Sequence, residues 1–134
     1  VDRKDAPLRI VGTDGQDRSS GFFTIVMNAN PYTFLGSRPF DIVKDLGLDD
    51  PLAVVTLERL DLRTLGPVAS RALMSRDLSS TSGLDIQRNV RSIVIEADPP
   101  APYQVDGDHL GSSKRLRFTW TPEHLSLVVP TAKK

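Results

Sequence analysis

The sequence predicts a mainly β domain, with two sheets stacked in a sandwich-like body and one helix crossing it. Two observations carry this. Short apolar, β-branched runs recur at close spacing with turn residues between them, and only one stretch repeats its apolar residues at three- and four-residue intervals. The 134 residues suit a single domain spanning 1–134, large enough to form a core without covalent staples.

Taken in order, Val1–Pro7 is charged and reads as a frayed start. Leu8–Val11 alternates and reads as a strand, followed by a turn at Gly12-Thr13-Asp14-Gly15. Gly21–Met27 (GFFTIVM) is a near-continuous apolar run, expected to be a central strand buried on both faces. Asn28–Pro39 is a turn-rich loop, Phe40–Val43 a short strand, Asp45–Pro51 an acidic loop and Leu52–Leu57 (LAVVTL) a further apolar strand. Asp61–Ser79 is the helical stretch: Leu62, Leu65, Ala69 and Leu73 share one stripe, widened by Val68 and Met74. Asp61 or Thr64 is its candidate cap, and Gly66-Pro67 suggests that the regular part begins with Pro67 in its first turn. Strands resume at Arg91–Ala97, break at Pro99–Pro102 and flank the turn Asp106-Gly107. They end in Arg115–Thr121 and Leu125–Val129, the last expected to close the sheet.

Lys plus Arg and Asp plus Glu both number 17, so the formal net charge is zero. A dedicated nucleic-acid binder carries a basic excess, so nucleic acid is not an expected partner. Cysteine is absent, which excludes disulfides and thiolate metal sites and fits a reducing compartment. No apolar run approaches the roughly 18 residues of a bilayer span, and no signal peptide is visible. The first residue is Val1 rather than Met, which reads as a piece of a longer chain.

The segment Tyr103–Leu110 (YQVDGDHL) concentrates the chemistry. Asp-Gly between two strands is the composition of a two-residue hairpin turn, and both aspartates can simply face water. The same geometry also serves catalysis. A stiff tip presents Asp106 and Asp108 to a partner surface, and a carboxylate within reach of a substrate hydroxyl can accept its proton. Phosphoryl transfer needs chiefly positioning and charge balance, so an aspartate base suffices there. Pro102–Gly111 (PYQVDGDHLG) resembles the Q-V-D-G-E/D-x-L-G hairpin near the end of bacterial diacylglycerol kinases and their sphingosine-kinase-like relatives. The resemblance implies that Asp106 is the base activating a lipid hydroxyl and that Asp108 stands where glutamate is more common.

Two further patches carry the resemblance. Leu48-Asp49-Asp50-Pro51-Leu52 is an ordinary Asp-Pro turn by itself, although carboxylate and carbonyl oxygens in one loop also suit a hard cation. The segment resembles the family's L-D-D-G-L-L-D-V, which implies magnesium held by the Asp50 carboxylate with the carbonyls of Gly47 and Leu52. Pro51 and Ala53 depart from that pattern. Asn28–Pro39 (NANPYTFLGSRP) resembles the family's N-x-x-P-x-T-Y-L-G-x-R-P loop, which implies a lining for the lipid cleft. The patches Phe22–Pro39, Lys44–Leu57 and Pro102–Val129 cover a little under half of the 134 residues and reach from residue 22 to residue 129.

What the resemblance implies is the C-terminal half of an ATP-dependent lipid kinase acting on a substrate such as diacylglycerol. ATP and Mg²⁺ are the implied cofactors. The expected partners are an N-terminal nucleotide-binding domain, the lipid and, peripherally, a membrane surface from the cytoplasmic side; a homodimer is left open. The family's Gly-Gly-Asp-Gly-Thr phosphate loop does not occur in this sequence, so this chain alone is expected to be inactive. Two other readings stay open: half of an NAD-kinase-like enzyme, which shares the two-domain plan, and a non-catalytic β-sandwich using Ser37 and Arg38 as anion contacts. Lys114, Arg115 and Arg117, with Phe118 and Trp120 on one strand, offer modest means of membrane contact, though an ordinary solvated strand face with buried aromatics explains them better.

Overall fold

The computed structural model describes residues 6–29, 33–35, 37–40, 42–74 and 78–122. The strands are β1 (Leu8–Gly12), β2 (Asp17–Gly21), β3 (Phe23–Met27), β4 (Thr33–Leu35), β5 (Arg38–Phe40), β6 (Leu52–Leu57), β7 (Leu84–Val90), β8 (Ser92–Val105) and β9 (Asp108–Thr119). One helix, α1, spans Leu62–Leu73. All the pairings are antiparallel. They form a four-stranded sheet in the order β2-β1-β8-β9, a three-stranded sheet β3-β6-β7 and the small hairpin β4-β5. The expected mainly β, two-sheet body with a single helix is therefore what forms.

The strand period of two explains how β6 serves two cores. Alternate residues of β6 point to opposite faces, and both faces are covered. Val54 joins Leu8, Ile10, Ile93, Ile95 and Ala97 in the core between the two sheets. Ala53 and Val55 join Met27, Ile42, Val43, Leu46 and Leu78 in a second core behind the three-stranded sheet. All six residues of β6 are accordingly buried. The buried Thr56 hydroxyl lies 3.2 Å from that of Thr24, whose own hydroxyl donates to the Val55 carbonyl at 3.1 Å. The outer face of the four-stranded sheet meets water and carries cross-strand charge: Arg9 sits 2.7 Å from Asp17 and 3.3 Å from Glu96.

The chain changes sheets at two corners. At the first, the Phe22 amide donates to the Leu57 carbonyl at 2.9 Å. Gly21 lets the backbones approach there, because a Cβ on it would lie 2.5 Å from that same carbonyl oxygen. At the second, Arg91 links β7 to β8, and its carbonyl accepts from the Trp120 amide at 2.8 Å.

Several expectations change. Gly21–Met27 is not one central strand: β2 ends at Gly21, and β3 is an edge strand with Phe23 half exposed. The central, doubly buried place belongs to β6, because it is paired on both sides. Strand structure at Phe40 belongs to β5, which pairs with β4 inside the expected loop, and Ile42–Val43 form a bend. Strands β2 and β7 were not expected. Strand β8 does not stop at Pro99–Pro102; it continues to Val105, with its register slipping between Glu96 and Ala101. Leu125–Val129 lies outside the described residues.

Asp61 is the helix cap: its carboxylate accepts the Thr64 amide at 2.7 Å, and its carbonyl accepts the Leu65 amide at 2.9 Å. The helix thus starts at Leu62, and Pro67 lies within it rather than in its first turn. Among the described side chains, the expected apolar stripe is not what docks. Leu62 is 87% exposed, and Leu65 and Met74 are exposed too. The body-facing side holds buried Thr64 against Gly83, with Arg71 donating to the Thr81 hydroxyl at 3.1 Å.

Hydrogen bonds from Thr64, by its side chain and then its backbone amide, hold the Asp61 carboxyl below the ordinary carboxylate range. A lowered folded-state pKa stabilises above the unfolded value, and that contribution fades as pH falls through the folded value. Asp61→Ala is therefore expected to lower Tm at pH 7 by roughly 2–6 °C. The gap from the parent should close as acid protonates Asp61, which thermal melts by circular dichroism at descending pH will read. A gap independent of pH would remove the cap from this role.

Candidate functional site

The hairpin tip forms as its residues dictate. Val105 pairs with Asp108, leaving Asp106 and Gly107 as a two-residue loop with φ of 50° and 90°. Positive φ at both positions is the type I′ turn, whose twist matches that of the flanking strands. Asp tolerates the left-handed region better than most residues, and Gly occupies it without penalty. A second register slip, between Tyr103 and Gln104, skips Leu110, next to Gly111 at φ 129°. Such a slip bends and twists the arm near its end.

The arm projects. β1 covers β8 only from Ile93 to Ala97, so among the described residues the stretch from Ala101 to Ser113 is a two-stranded ribbon. Val105 and Leu110 are about half exposed, and Asp106, Gly107, Asp108 and His109 all face water. No ion pair among the described residues involves Asp106 or Asp108. The arrangement holds two exposed carboxylates flanking a glycine on a reachable tip.

The acidic loop closes on itself. The Asp50 carboxylate accepts the Gly47 amide at 2.7 Å, and the Asp50 amide donates to the Gly47 carbonyl at 3.3 Å. Leu52 begins β6 and is buried opposite Val90. Among the described residues no three His, Cys, Asp or Glu side chains gather in a metal-binding group. Magnesium takes near-octahedral oxygen coordination. The Asp50 carboxylate, already engaged by one amide, and the carbonyls of Gly47 and Leu52 could supply at most three of those positions, the rest falling to water or to another group.

Nor does the fold bring the acidic loop to the carboxylate tip. Leu52 faces Val90, beside the corner where β8 begins, whereas the tip lies at the far end of the fourteen residues of β8. At about 3.3 Å per residue, that is up to roughly 40 Å of strand. Near the corner, Arg18, Arg88 and Arg91 border one open cleft, but Arg18 is paired with Asp14 and Arg88 donates to the Lys44 carbonyl, so they form no common site. Ser37 is exposed.

No protein-family model, no curated protein and no solved structure matches the chain.

Proposed function

We propose that this chain is the substrate-side half of an ATP-dependent lipid kinase of the diacylglycerol kinase type. The observation that carries the proposal is the projecting arm with its type I′ tip, which holds Asp106 exposed and outside any ion pair of the described residues. A bare two-stranded ribbon is marginally stable in water, so packing of a nucleotide-binding half against it would favour both surfaces.

In this reading the Asp106 carboxylate accepts the proton of the lipid hydroxyl as that oxygen attacks the γ-phosphorus of ATP. The new P–O bond forms to the lipid, the bond to the β-phosphate oxygen breaks, and ADP leaves. Asp108 flanks the same tip and orients the hydroxyl. No step is assigned to magnesium through Asp50, Gly47 and Leu52; metal ligands for the nucleotide belong to the other half. Among the described residues no helix is long and apolar enough to cross a membrane. Contact with the lipid surface is peripheral and weak, through the exposed Lys114, Arg115 and Arg117 of β9, on the cytoplasmic side. The Phe118 side chain packs partly into the core between the sheets and is not offered to lipid.

The test is reconstitution. The chain alone is expected to transfer no phosphate from ATP to diacylglycerol in mixed micelles. Joined to a domain carrying the Gly-Gly-Asp-Gly-Thr loop, it is expected to do so. Phosphorylation of NAD instead of lipid by the joined protein, or robust lipid turnover by the chain alone, would overturn the reading.

A further inference from the structure

The sequence holds Asp-Gly twice, at Asp14-Gly15 and at Asp106-Gly107. Such a pair carries its own chemistry. The glycine amide nitrogen can attack the aspartate side-chain carboxyl, because glycine has no side chain to obstruct the approach. The N–Cγ bond forms, and one carboxyl oxygen leaves as water with the amide proton and the carboxyl proton. Water then opens the five-membered succinimide. Cleavage at its main-chain carbonyl gives isoaspartate, in which the backbone runs through the former side chain. The water lost in the first step is regained in the second, and no co-reactant is needed.

The fold treats the two pairs differently. At the β1–β2 turn both reacting groups are tied. The Asp14 carboxylate accepts from Arg18 at 2.6 Å and from the Gln16 amide at 3.0 Å. The Gly15 amide donates to the Gly12 carbonyl at 2.9 Å. That turn also closes onto β1, which is paired on both sides. At the tip of the arm both groups are free. Among the described residues no hydrogen bond or ion pair holds the Asp106 carboxylate, and the Gly107 amide has no partner. A Cβ on Gly107 would meet nothing within 4 Å. Ring closure needs the turn to open, and a two-stranded ribbon opens at low cost.

We propose that Asp106-Gly107 is a site of spontaneous isoaspartate formation, whereas the same dipeptide at Asp14-Gly15 is protected by its partners. The reaction itself is independent of the kinase reading. Its consequence rests on that reading: isoaspartate adds a carbon to the main chain at the tip and moves the carboxylate, so an aged chain loses its base.

The chain is incubated at mildly acidic pH and body temperature, folded and, in parallel, unfolded in urea. Peptide mapping by chromatography and electron-transfer mass spectrometry locates isoaspartate. Methyl transfer from S-adenosylmethionine by an isoaspartyl methyltransferase measures its total. Both pairs are expected to convert at similar rates in urea. In the folded chain Asp14 is expected to convert at least about threefold more slowly than Asp106. Arg18→Gln should speed conversion at Asp14 and leave Asp106 unchanged. Asp106→Glu, whose ring would have six members, should abolish conversion at the tip. Circular dichroism identifies which variants fold. Equal rates at the two pairs in the folded chain, or no isoaspartate at Asp106 by the time the urea sample has converted, overturns the site. In a protein carrying both halves of the kinase, isoaspartate at position 106 with full turnover would instead remove Asp106 from catalysis and leave the modification site standing.

Discussion

Asp106→Asn, in a protein that carries both halves of the proposed kinase, is expected to lower kcat by about 10²–10⁴-fold with KM for the lipid little changed. The substitution isolates the chemistry unusually well. Asp106 occupies φ 50°, a region in which Asn is as much at home as Asp, and Asn-Gly is a preferred type I′ pair. The exposed side chain keeps its size and loses only its charge and basicity. The hairpin should therefore persist, and circular dichroism and thermal melting should overlay those of the parent. Asp108→Asn at the same tip is expected to cost less, because that residue orients rather than accepts the proton. Turnover of Asp106→Asn within about threefold of the parent, well short of the range for a lost general base, would remove Asp106 from the role.

The largest effect on stability is expected at Ile10. This side chain is fully buried in the core between the sheets, among Leu8, Val54, Ile93 and Ile95. It sits on β1, directly paired with Ile95 of β8, so the loss falls where the two sheets meet. Ile10→Ala removes three carbon atoms and leaves a cavity that paired strands on both sides resist filling. A cost of about 2–5 kcal/mol is expected, against a total of about 5–15 kcal/mol for a domain of ordinary stability. Urea denaturation should show a lower midpoint with an unchanged slope. Ile10→Val should cost only about 0.5–1.5 kcal/mol. A change below about 1 kcal/mol for Ile10→Ala would mean that the two sheets do not close over this position.

The strands that could be read directly were those whose own residues alternate or run apolar: β1, β6, the first half of β8, and β9. The turn at Asp106-Gly107 was legible because its chemistry is local. β2 was not, since Asp17-Arg18-Ser19-Ser20-Gly21 has no apolar alternation and is a strand only because β1 offers it an edge. β7 was hidden for a related reason: Leu84–Val90 mixes polar and apolar residues, and its pairing with β6 decides its state. Periodicity located the helix but could not say which side docks, and the Thr64–Gly83 contact and the Arg71 hydrogen bonds are polar or steric rather than apolar. At the candidate site, residue types suggested a carboxylate tip and a metal loop. Their placement at different ends of β8 is a matter of strand register between segments far apart in sequence, which composition does not record.

The seating of β1 between β2 and β8 also bears on how the chain reaches its final state. Arg9 and Glu96, which face each other across that junction, are 87 positions apart. Closing so long a loop costs entropy before any contact repays it, and topologies of this kind assemble in milliseconds to seconds rather than microseconds. Until β8 arrives, β1 and β2 can form only a hairpin whose inner edge is unpaired. During synthesis on a ribosome, that edge waits for the last third of the chain, which makes the interval before β8 emerges the time at which self-association is most favoured.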